Sequence, residues 1–475
     1  MLKQKIAQNF LISIVGRVTA SALGLVSFAF ITRGLGLEGF GDYSIIFAFL
    51  YIFSVFADFG LYNILTREIS KPDADEKSII ANAFIARTIL LILFLGISLL
   101  IVFFTPYSFQ AKIGVLVAVP GIAFLSLSQV LMGVFQKHLK TLIPALADIS
   151  ARVIQLALVF YLYKTHAGLQ YFVLAFVFGS AFNFAIIYYF ARKYTKLRFH
   201  LARLSKIKAI LKESWPLAVS SVLVLIYFKG DTIILSLLKP SEDVGIYNVA
   251  YRILENIIFF PAMFVGLVMP LLSNYFVLDI NKFKSVFQKT FDFLVVVGIP
   301  LAVGGIYLAP QIMNIISGSG FEQSSEPFQV LMFAMIFIFF GSLFGNAIIA
   351  IHKQKEVMYV YGAAAIFNIL GNLYFIWKYS YLGAAWMTAA TEIFVSFLMF
   401  LIIYKTIGYL PDLRVFSKAI LGSLCMYFVL LVFPSQSFLI LFPLGIAVYF
   451  VFMYLTKGIT KEDIIELLRS IKVKS

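Results

Sequence analysis

The sequence predicts an all-α integral membrane protein with about fourteen transmembrane helices: two six-helix lobes related by a pseudo-two-fold repeat, followed by a C-terminal helix pair. Of its 475 residues, 61% are hydrophobic and only 13% are charged, and the mean hydropathy is +0.96. Apolar stretches of about 20 residues, long enough to cross a bilayer, recur along the chain. A water-soluble globule and a large soluble domain are therefore excluded.

The apolar stretches set the domain boundaries. We predict a first lobe at 1–191, a basic amphipathic linker at 192–213, a second lobe at 214–405, a C-terminal pair at 415–456 and a tail at 457–475. The first stretch follows Lys residues, as in a signal peptide, but it is too long for one, so we expect a retained helix. The predicted spans are 10–32, 43–65, 80–104, 113–135, 144–163, 169–191, 214–238, 245–272, 291–315, 328–351, 356–377, 381–404, 415–433 and 437–456.

The distribution of basic residues orients the bundle. The chain has 38 Lys and Arg against 23 Asp and Glu, a net charge of +15. If the N-terminus is cytoplasmic, the connectors and termini on that side carry 28 cations, counting Lys418 in the first turn of the span 415–433, and the opposite connectors carry five. By the positive-inside rule both termini lie in the cytoplasm. The excess charge is thus explained by topology, and we expect no nucleic acid partner.

The longest basic connector, 192–212, contains eight cations and no acid. Its apolar residues recur at helical spacing: Leu197, Leu201, Leu204, Ile207 and Leu211. This pattern favours an amphipathic helix lying on anionic lipid, with a regulatory docking site as the alternative.

A weak internal repeat supports the two-lobe prediction. Gly41-Asp42-Tyr43 and Gly245-Ile246-Tyr247 each open a helix after a turn, at an offset of 204 residues. A duplication of six helices gives two copies that point the same way, related by an axis along the membrane normal. Repeats of this kind place a substrate site between their two halves.

Several motifs of soluble enzymes are excluded. Gly34-Leu35-Gly36-Leu37-Glu38-Gly39 matches a dinucleotide-binding pattern by letter, but no strand precedes it, so we interpret it as a turn between membrane helices. No phosphate-binding loop with the Walker pattern occurs, and Cys425 is the single cysteine. The four histidines are far apart. We therefore predict no metal site, no cofactor and no catalytic residue.

Charges inside the predicted spans are the candidate site residues. Away from the first turn of each span, the cations are Arg17, Arg87, Arg152, Lys229 and Arg252, and the acids are Asp58, Asp148, Asp231, Glu255 and Glu392. A charge in mid-span costs about 2.5–3.5 kcal/mol on insertion scales, so each must face a partner, the protein interior or a water-filled cavity. An unbalanced cationic cavity suits an anionic substrate, and Arg binds phosphate bidentately.

Helical spacing distinguishes local ion pairs from other charges. Asp148 with Arg152 and Arg252 with Glu255 are i,i+4 and i,i+3 pairs, so each shares a helix face. Arg17 and Arg87 have no acid within four residues, and Lys229 points away from Asp231. Two alternatives stay open for these cations. They line a cavity, or they pair across helices with Asp58, Asp231 or Glu392.

The motifs together resemble the polysaccharide biosynthesis, or oligosaccharide flippase, family (Wzx-type). This family shares a superfamily with multidrug and toxin extrusion transporters and lipid II flippases. The resemblance covers essentially the whole chain. It rests on Arg33-Gly34-Leu35-Gly36 through Gly41-Asp42-Tyr43, Asp58-Phe59-Gly60-Leu61 with Thr66-Arg67-Glu68, Asp231-Thr232-Ile233-Ile234-Leu235 through Val244-Gly245-Ile246-Tyr247, Ala250-Tyr251-Arg252 and Pro270.

The resemblance implies a function and partners. Members move undecaprenyl-pyrophosphate-linked oligosaccharide across the bacterial cytoplasmic membrane by alternating access, for O-antigen, capsule or exopolysaccharide synthesis. By location, Arg17 and Arg87 correspond to arginines of a cationic cavity in related lipid II flippases, with Lys229, Arg252 and Arg152 as further candidates. The acids Asp58, Asp231 and Glu392 would balance charge or carry a coupling proton. The implied partners are this substrate, membrane lipids, a polysaccharide polymerase and a chain-length regulator.

Two other functions remain as alternatives. A multidrug or cation antiporter shares the superfamily fold, although the excess of intramembrane arginine argues against it. A membrane-embedded polysaccharide polymerase or ligase is the alternative from another class. Such enzymes usually carry a large outer loop with catalytic residues, and the longest predicted outer loop, 316–327, has neither Arg nor His.

Overall fold

The computed structural model of the chain describes residues 2–72, 74–195, 202–434 and 436–459. Its described elements are helices, two of them short 3₁₀ turns, and these residues contain no strand. The all-α prediction is therefore confirmed. The helices are α1 Leu2–Asp58, α2 Leu61–Ile69, α3 Glu76–Ile101, α4 Phe109–Lys137, α5 Leu142–Lys164, α6 Leu169–Tyr194, α7 Leu204–Leu238, α8 Ser241–Leu278, α9 Ile280–Ser317, α10 Ser325–Ala350, α11 Gln354–Ile407, α12 Arg414–Val432 and α13 Phe438–Leu455.

The two longest helices are broken. Helix α1 has 57 residues and breaks at Gly36 (φ 67°), and α11 has 54 residues and breaks at Ser380 (φ 50°). A single crossing needs only about 20 residues. Gly36 lies inside the glycine motif, and its left-handed backbone is the conformation that glycine allows without steric penalty. The interpretation of this motif as a turn between membrane helices is confirmed.

By length and composition, 11 helices of the described chain can cross a membrane, and α1 and α11 are among them. Because both are broken, each has room for two spans. Helix α7, with 35 residues, contains the predicted span 214–238. The count of fourteen spans stays a prediction.

The chain divides into two compact units. The first comprises Met1–Asn248 with Ile316–Gly320, and the second comprises Val249–Ile315 with Phe321–Ser475. In the first unit a core cluster joins α2 through α6; its fully buried members include Ile69, Leu131, Phe135, Ala147 and Ala191.

In the second unit, α9 contains two prolines whose missing N–H groups free one carbonyl each. Pro300 leaves the carbonyl of Val296 without its helical donor, and Pro310 does the same for Ile306. Both oxygens find a side-chain donor. The Tyr449 hydroxyl of α13 donates to Val296 at 2.9 Å, and Gln329 Nε2 of α10 donates to Ile306 at 3.1 Å. These bonds attach α13 and α10 to α9.

The Tyr449 bond gives a stability prediction. We expect Tyr449→Phe to destabilise the folded protein by about 1–3 kcal/mol, because the Val296 carbonyl is left without a donor where water is scarce. Thermal unfolding in detergent micelles measures the change. The control is Tyr454→Phe, since that tyrosine is 46% exposed. Equal melting temperatures for the two variants would contradict the proposed importance of the bond.

Candidate functional site

Arg87 lies on α3 in the first unit and is only 2% exposed. Its Nη1 donates to the Asp58 carboxylate at 2.5 Å and to the Ala57 carbonyl at 3.0 Å. Its Nε donates to Ser126 at 2.7 Å, and Nη2 donates to Gln129 at 3.2 Å. Four of the five guanidinium N–H groups are thus bound to protein acceptors. The pairing of Arg87 with Asp58 across helices, one of the two alternatives above, is the arrangement in this structure.

The backbone explains why an arginine stands here. Phe59 and Gly60 both have left-handed backbones, with φ of 49° and 71°, so the helix stops at Asp58 and restarts as α2. The sequence predicted one continuous span over 43–65, and this break makes that prediction wrong at its end. The carbonyl of Ala57 loses its helical donor at the break, and Arg87 supplies one. A cation at a helix C-terminus also interacts favourably with the negative end of the helix dipole.

Two other cations of the first unit lie along the contact between α1 and α5. A Cβ atom added at Gly16 would come 2.8 Å from the Cβ of Ala145, so the helices cross closely beside Arg17, which is exposed. Arg152 follows Ala145 by two helical turns, which returns it to the same face of α5. Its side chain is 38% exposed, and its Nε lies 3.7 Å from a carboxylate oxygen of Asp148. The predicted ion pair is therefore confirmed, although the distance is long for such a pair. Arg17 is thus exposed one residue from the helix contact, and Arg152 is partly exposed on the face of α5 that makes it.

Asp231 on α7 is buried, at 4% exposure. It accepts a hydrogen bond of 3.0 Å from the hydroxyl of Tyr247 on α8. The motifs Asp231-Thr232 and Gly245-Ile246-Tyr247, quoted separately in the sequence, thus form one contact. Lys229 is half-buried and lies two residues from this contact.

The second unit holds the remaining candidates. Arg252 and Glu255 form the predicted i,i+3 ion pair at 3.0 Å, with Arg252 53% exposed. Glu392 on α11 is 7% exposed. Its neighbour Thr391 accepts a hydrogen bond from Asn368 across the break of α11. Glu392 therefore lies within a buried polar region, and the role of each of these residues in substrate binding stays a prediction.

The motif Gly41-Asp42-Tyr43 forms a contact that the list of intramembrane charges missed. A Cβ atom at Gly41 would lie 1.8 Å from the Ser241 carbonyl oxygen, so α8 begins directly against α1. Asp42 is 3% exposed and accepts hydrogen bonds of 2.6 Å from Ser108 and from Ser241. Its place just before a predicted span explains the omission, although the repeat had already identified this motif.

The same contact recurs in pseudo-symmetric form. A Cβ atom at Gly245 would lie 2.5 Å from the carbonyl oxygen of Leu37. Gly41 and Gly245 are separated by 204 residues, and so are Leu37 and Ser241. Exchanging the two copies of the repeat therefore converts one contact into the other, as in a two-fold interface. We call Leu37, Gly41, Asp42, Ser241 and Gly245 the glycine junction.

In the first turns of α7, the structure differs from one prediction about the linker. Ile207 is buried and packs with Leu61 and Ala86, and Leu211 packs against the same cluster. The predicted contact of these two side chains with lipid is therefore wrong, because α2 and α3 cover this face. Glu213 also pairs with Arg67. Residues 196–201 of the linker and 460–475 of the tail lie outside the described residues.

The acidic and basic groups near this linker form a small charged cluster at the end of α2. Glu68 bonds to Lys71 at 2.5 Å and to Arg67 at 2.9 Å. These bonds, the Lys71 bond above all, lower the pKa of the Glu68 carboxyl. In the described part of the chain, no group of three or more His, Cys, Asp or Glu could hold a metal ion.

Helices of membrane-spanning length, two of them broken, with buried and half-buried charges inside the spans, are typical of multispanning membrane transporters. The comparisons with known proteins identify the family. The model of the polysaccharide biosynthesis protein family matches residues 6–276, and the MatE family model matches residues 216–374. The first match covers more than half of the chain, so the chain belongs to the polysaccharide biosynthesis protein family.

Individual proteins agree with this assignment. The chain is 25% identical over 405 residues to a putative O-antigen transporter of Shigella flexneri, covering 80% of this chain and 93% of that protein. It is 26% identical over 297 residues to the capsular polysaccharide biosynthesis protein CapF of Staphylococcus aureus, covering 60% and 72% of the two chains. Its fold is similar to that of the lipid II flippase MurJ, with a TM-score of 0.78 at 18% identity, covering 93% and 98% of the chains. The predicted family is confirmed, and the protein is a transporter rather than an enzyme.

Proposed function

We propose that the protein moves undecaprenyl-pyrophosphate-linked oligosaccharide across the bacterial cytoplasmic membrane by alternating access, for the synthesis of a surface polysaccharide. The observation that carries this proposal is the family match over residues 6–276, which includes all five candidate cations. The relatives in Shigella flexneri and Staphylococcus aureus are named for O-antigen and capsule, two products built from such lipid-linked units. A polysaccharide polymerase and a chain-length regulator are the proposed partners.

The accessibility of Arg17 and Arg152 supports both as proposed ligands of the pyrophosphate. Both are accessible, whereas Arg87 is almost completely buried. The pyrophosphate offers several anionic oxygens, which the planar guanidinium fork of Arg binds bidentately. With the termini in the cytoplasm, an inside-negative potential contributes about 2.3 kcal/mol per charge per 100 mV to outward movement of an anion. Lys229 and Arg252 are further proposed ligands, and Asp58, Asp231 and Glu392 are proposed charge partners.

A multidrug or cation antiporter is the second candidate function. The match of the MatE model to residues 216–374 favours it. Asp231 and Glu392, both buried, lie in or beside that region and could hold a cation or a proton. The accessible arginines of the first unit argue against this function, because they would repel a cationic drug.

Reconstituted protein tests the proposal directly. In proteoliposomes containing fluorescent undecaprenyl-pyrophosphate-linked oligosaccharide, we expect the protein to speed movement of the sugar to the protected leaflet. Arg17→Ala should slow this by about tenfold or more, because a charge-assisted hydrogen bond is lost. Arg17→Lys should keep part of the rate, since it keeps the charge but not the fork. Quenching by a membrane-impermeant reagent measures the leaflet distribution.

The control is Arg414→Ala, because that arginine begins α12, is 86% exposed and lies outside the predicted spans. Its rate should equal that of the wild type. A wild-type protein that leaves the glycolipid in place but exchanges a cationic dye for protons would exclude the flippase and support the antiporter.

A further inference from the structure

We propose that α2 and the last turns of α4 form a binding site for the sugar hydroxyls of the glycolipid. This inference rests on the proposed function and names the residues that contact the oligosaccharide rather than the pyrophosphate. They are Tyr62 on α2 with Gln129 and Gln136 on α4, which we call the glutamine face. With the N-terminus in the cytoplasm, α4 ends at the cytoplasmic side, so the face starts where such a substrate enters.

The two glutamines lie on one side of α4. They are seven residues apart, which is close to two helical turns and about 10 Å along the axis. Both are exposed, whereas Val130 and Gly133 between them are buried. The glutamines therefore make the exposed side of this helix segment polar.

The depth of Gln129 indicates what this side contacts. It lies six residues before the end of the predicted span 113–135, about 9 Å along the helix. A polar side chain at that depth is costly against lipid, so it faces protein or water. Gln129 is exposed from the protein. Water therefore reaches the glutamine face from the cytoplasm.

Each amide of the glutamine face is held at one end. The Oε1 atom of Gln129 accepts from Nη2 of Arg87 at 3.2 Å, so its Nε2 group is left to donate to a ligand. The Nε2 group of Gln136 donates to the Tyr62 hydroxyl at 2.5 Å, which leaves Oε1 as an acceptor and the Tyr62 O–H as a donor. Within the described residues, these three groups make no further hydrogen bond to the protein.

This chemistry suits sugar hydroxyls rather than ions. A hydroxyl both donates and accepts, so it matches donors and an acceptor that are fixed in orientation. The members of the glutamine face carry no charge, and the nearby Arg87 and Asp58 pair with each other. Sites of this kind distinguish substrates by the position of a hydroxyl.

Thiol labelling without substrate tests whether water reaches the face. In a Cys425→Ser background, Gln129→Cys is compared with Ile89→Cys. Ile89 is 49% exposed and lies two residues from Arg87, at the depth of Gln129 but on the opposite side of α3. In inside-out vesicles, a water-soluble maleimide should label Gln129→Cys about tenfold faster or more, because desolvation in lipid suppresses the reactive thiolate. Equal rates would overturn the proposal.

Binding of the carrier with and without sugars tests the ligand. Undecaprenyl pyrophosphate and the same carrier bearing an oligosaccharide are titrated onto the protein in micelles. We expect Gln129→Met and Gln136→Met each to weaken binding of the glycosylated carrier by about three- to tenfold, as for one hydrogen bond, and to leave binding of the bare carrier unchanged. Arg17→Ala should weaken both. Gln110→Met, at an exposed glutamine in the first turn of α4, should change neither.

Equal weakening for both carriers would make the glutamines structural contacts of α4 and overturn the sugar site, and so would unchanged binding of the glycosylated carrier. Failure of the proposed function gives a different result. A wild-type protein that binds neither carrier would exclude the flippase together with the site. One that moves the glycolipid but binds both carriers equally would keep the flippase and exclude the site.

Discussion

Arg87→Met should sharply lower the amount of folded protein, and Asp58→Asn/Arg87→Met should recover most of it. Removing the arginine alone leaves the Asp58 carboxylate and the freed Ala57 carbonyl without their donor. Breaking one partner of a buried ion pair costs about 3–5 kcal/mol, whereas replacing both partners is often nearly neutral. Because Asp58 is 27% exposed, we expect a value near the lower end. Thermal unfolding in micelles and membrane abundance measure the effect.

This experiment separates the two roles of Arg87. If it binds the pyrophosphate directly, Arg87→Met should be abundant but inactive, and the double variant should be inactive as well. If it holds the break of the second span, activity should follow abundance and return in the double variant. Arg152→Met is the control for stability. Its pair with Asp148 is half-exposed, and such surface pairs are worth about 0–1 kcal/mol.

Local features of the site could be predicted from the sequence. The ion pairs of Arg252 with Glu255 and of Arg152 with Asp148 follow from helical periodicity, which needs no knowledge of tertiary structure. The break at Gly36 follows from the ability of glycine to adopt positive φ. The length of each apolar stretch identified the membrane helices, because this length is also a local property of the sequence. In each case the determining residues lie within a few positions of one another.

For contacts between residues far apart in the chain, the sequence could only reduce the possibilities to a few alternatives. Arg87 and Asp58 are 29 residues apart, so helical spacing cannot pair them, although Gly60 is a local signal for the end of the helix. The apolar face of the linker had two possible partners, lipid or protein, and periodicity cannot distinguish them. Ile207 packs on α2 and α3, which shields it from lipid. Asp42 was missed for a related reason, since both of its donors come from other helices.

Gly41→Ala is expected to separate the two helices that meet at the glycine junction. A Cβ atom there would lie 1.8 Å from the Ser241 carbonyl oxygen, a distance that no rotamer change can relieve because both atoms are fixed to the backbone. The start of α8 must therefore move away, and the hydrogen bond from Ser241 to Asp42 is lost with it. We expect the free energy of unfolding to fall by about 3 kcal/mol or more, at or above the upper end for overpacking, because a backbone atom must move, and thermal unfolding in detergent micelles measures the change.

Gly24→Ala is the matched control, because it lies on the same helix and nothing lies within 4 Å of an added Cβ. Alanine favours a helix interior by about 0.5–1 kcal/mol over glycine, so this variant should be equally or more stable and fully active. Equal melting temperatures for Gly41→Ala and Gly24→Ala would contradict the close approach of α8 to α1. A large loss confined to Gly41→Ala is the result that the contact requires, because only that variant places a Cβ atom against a fixed backbone oxygen.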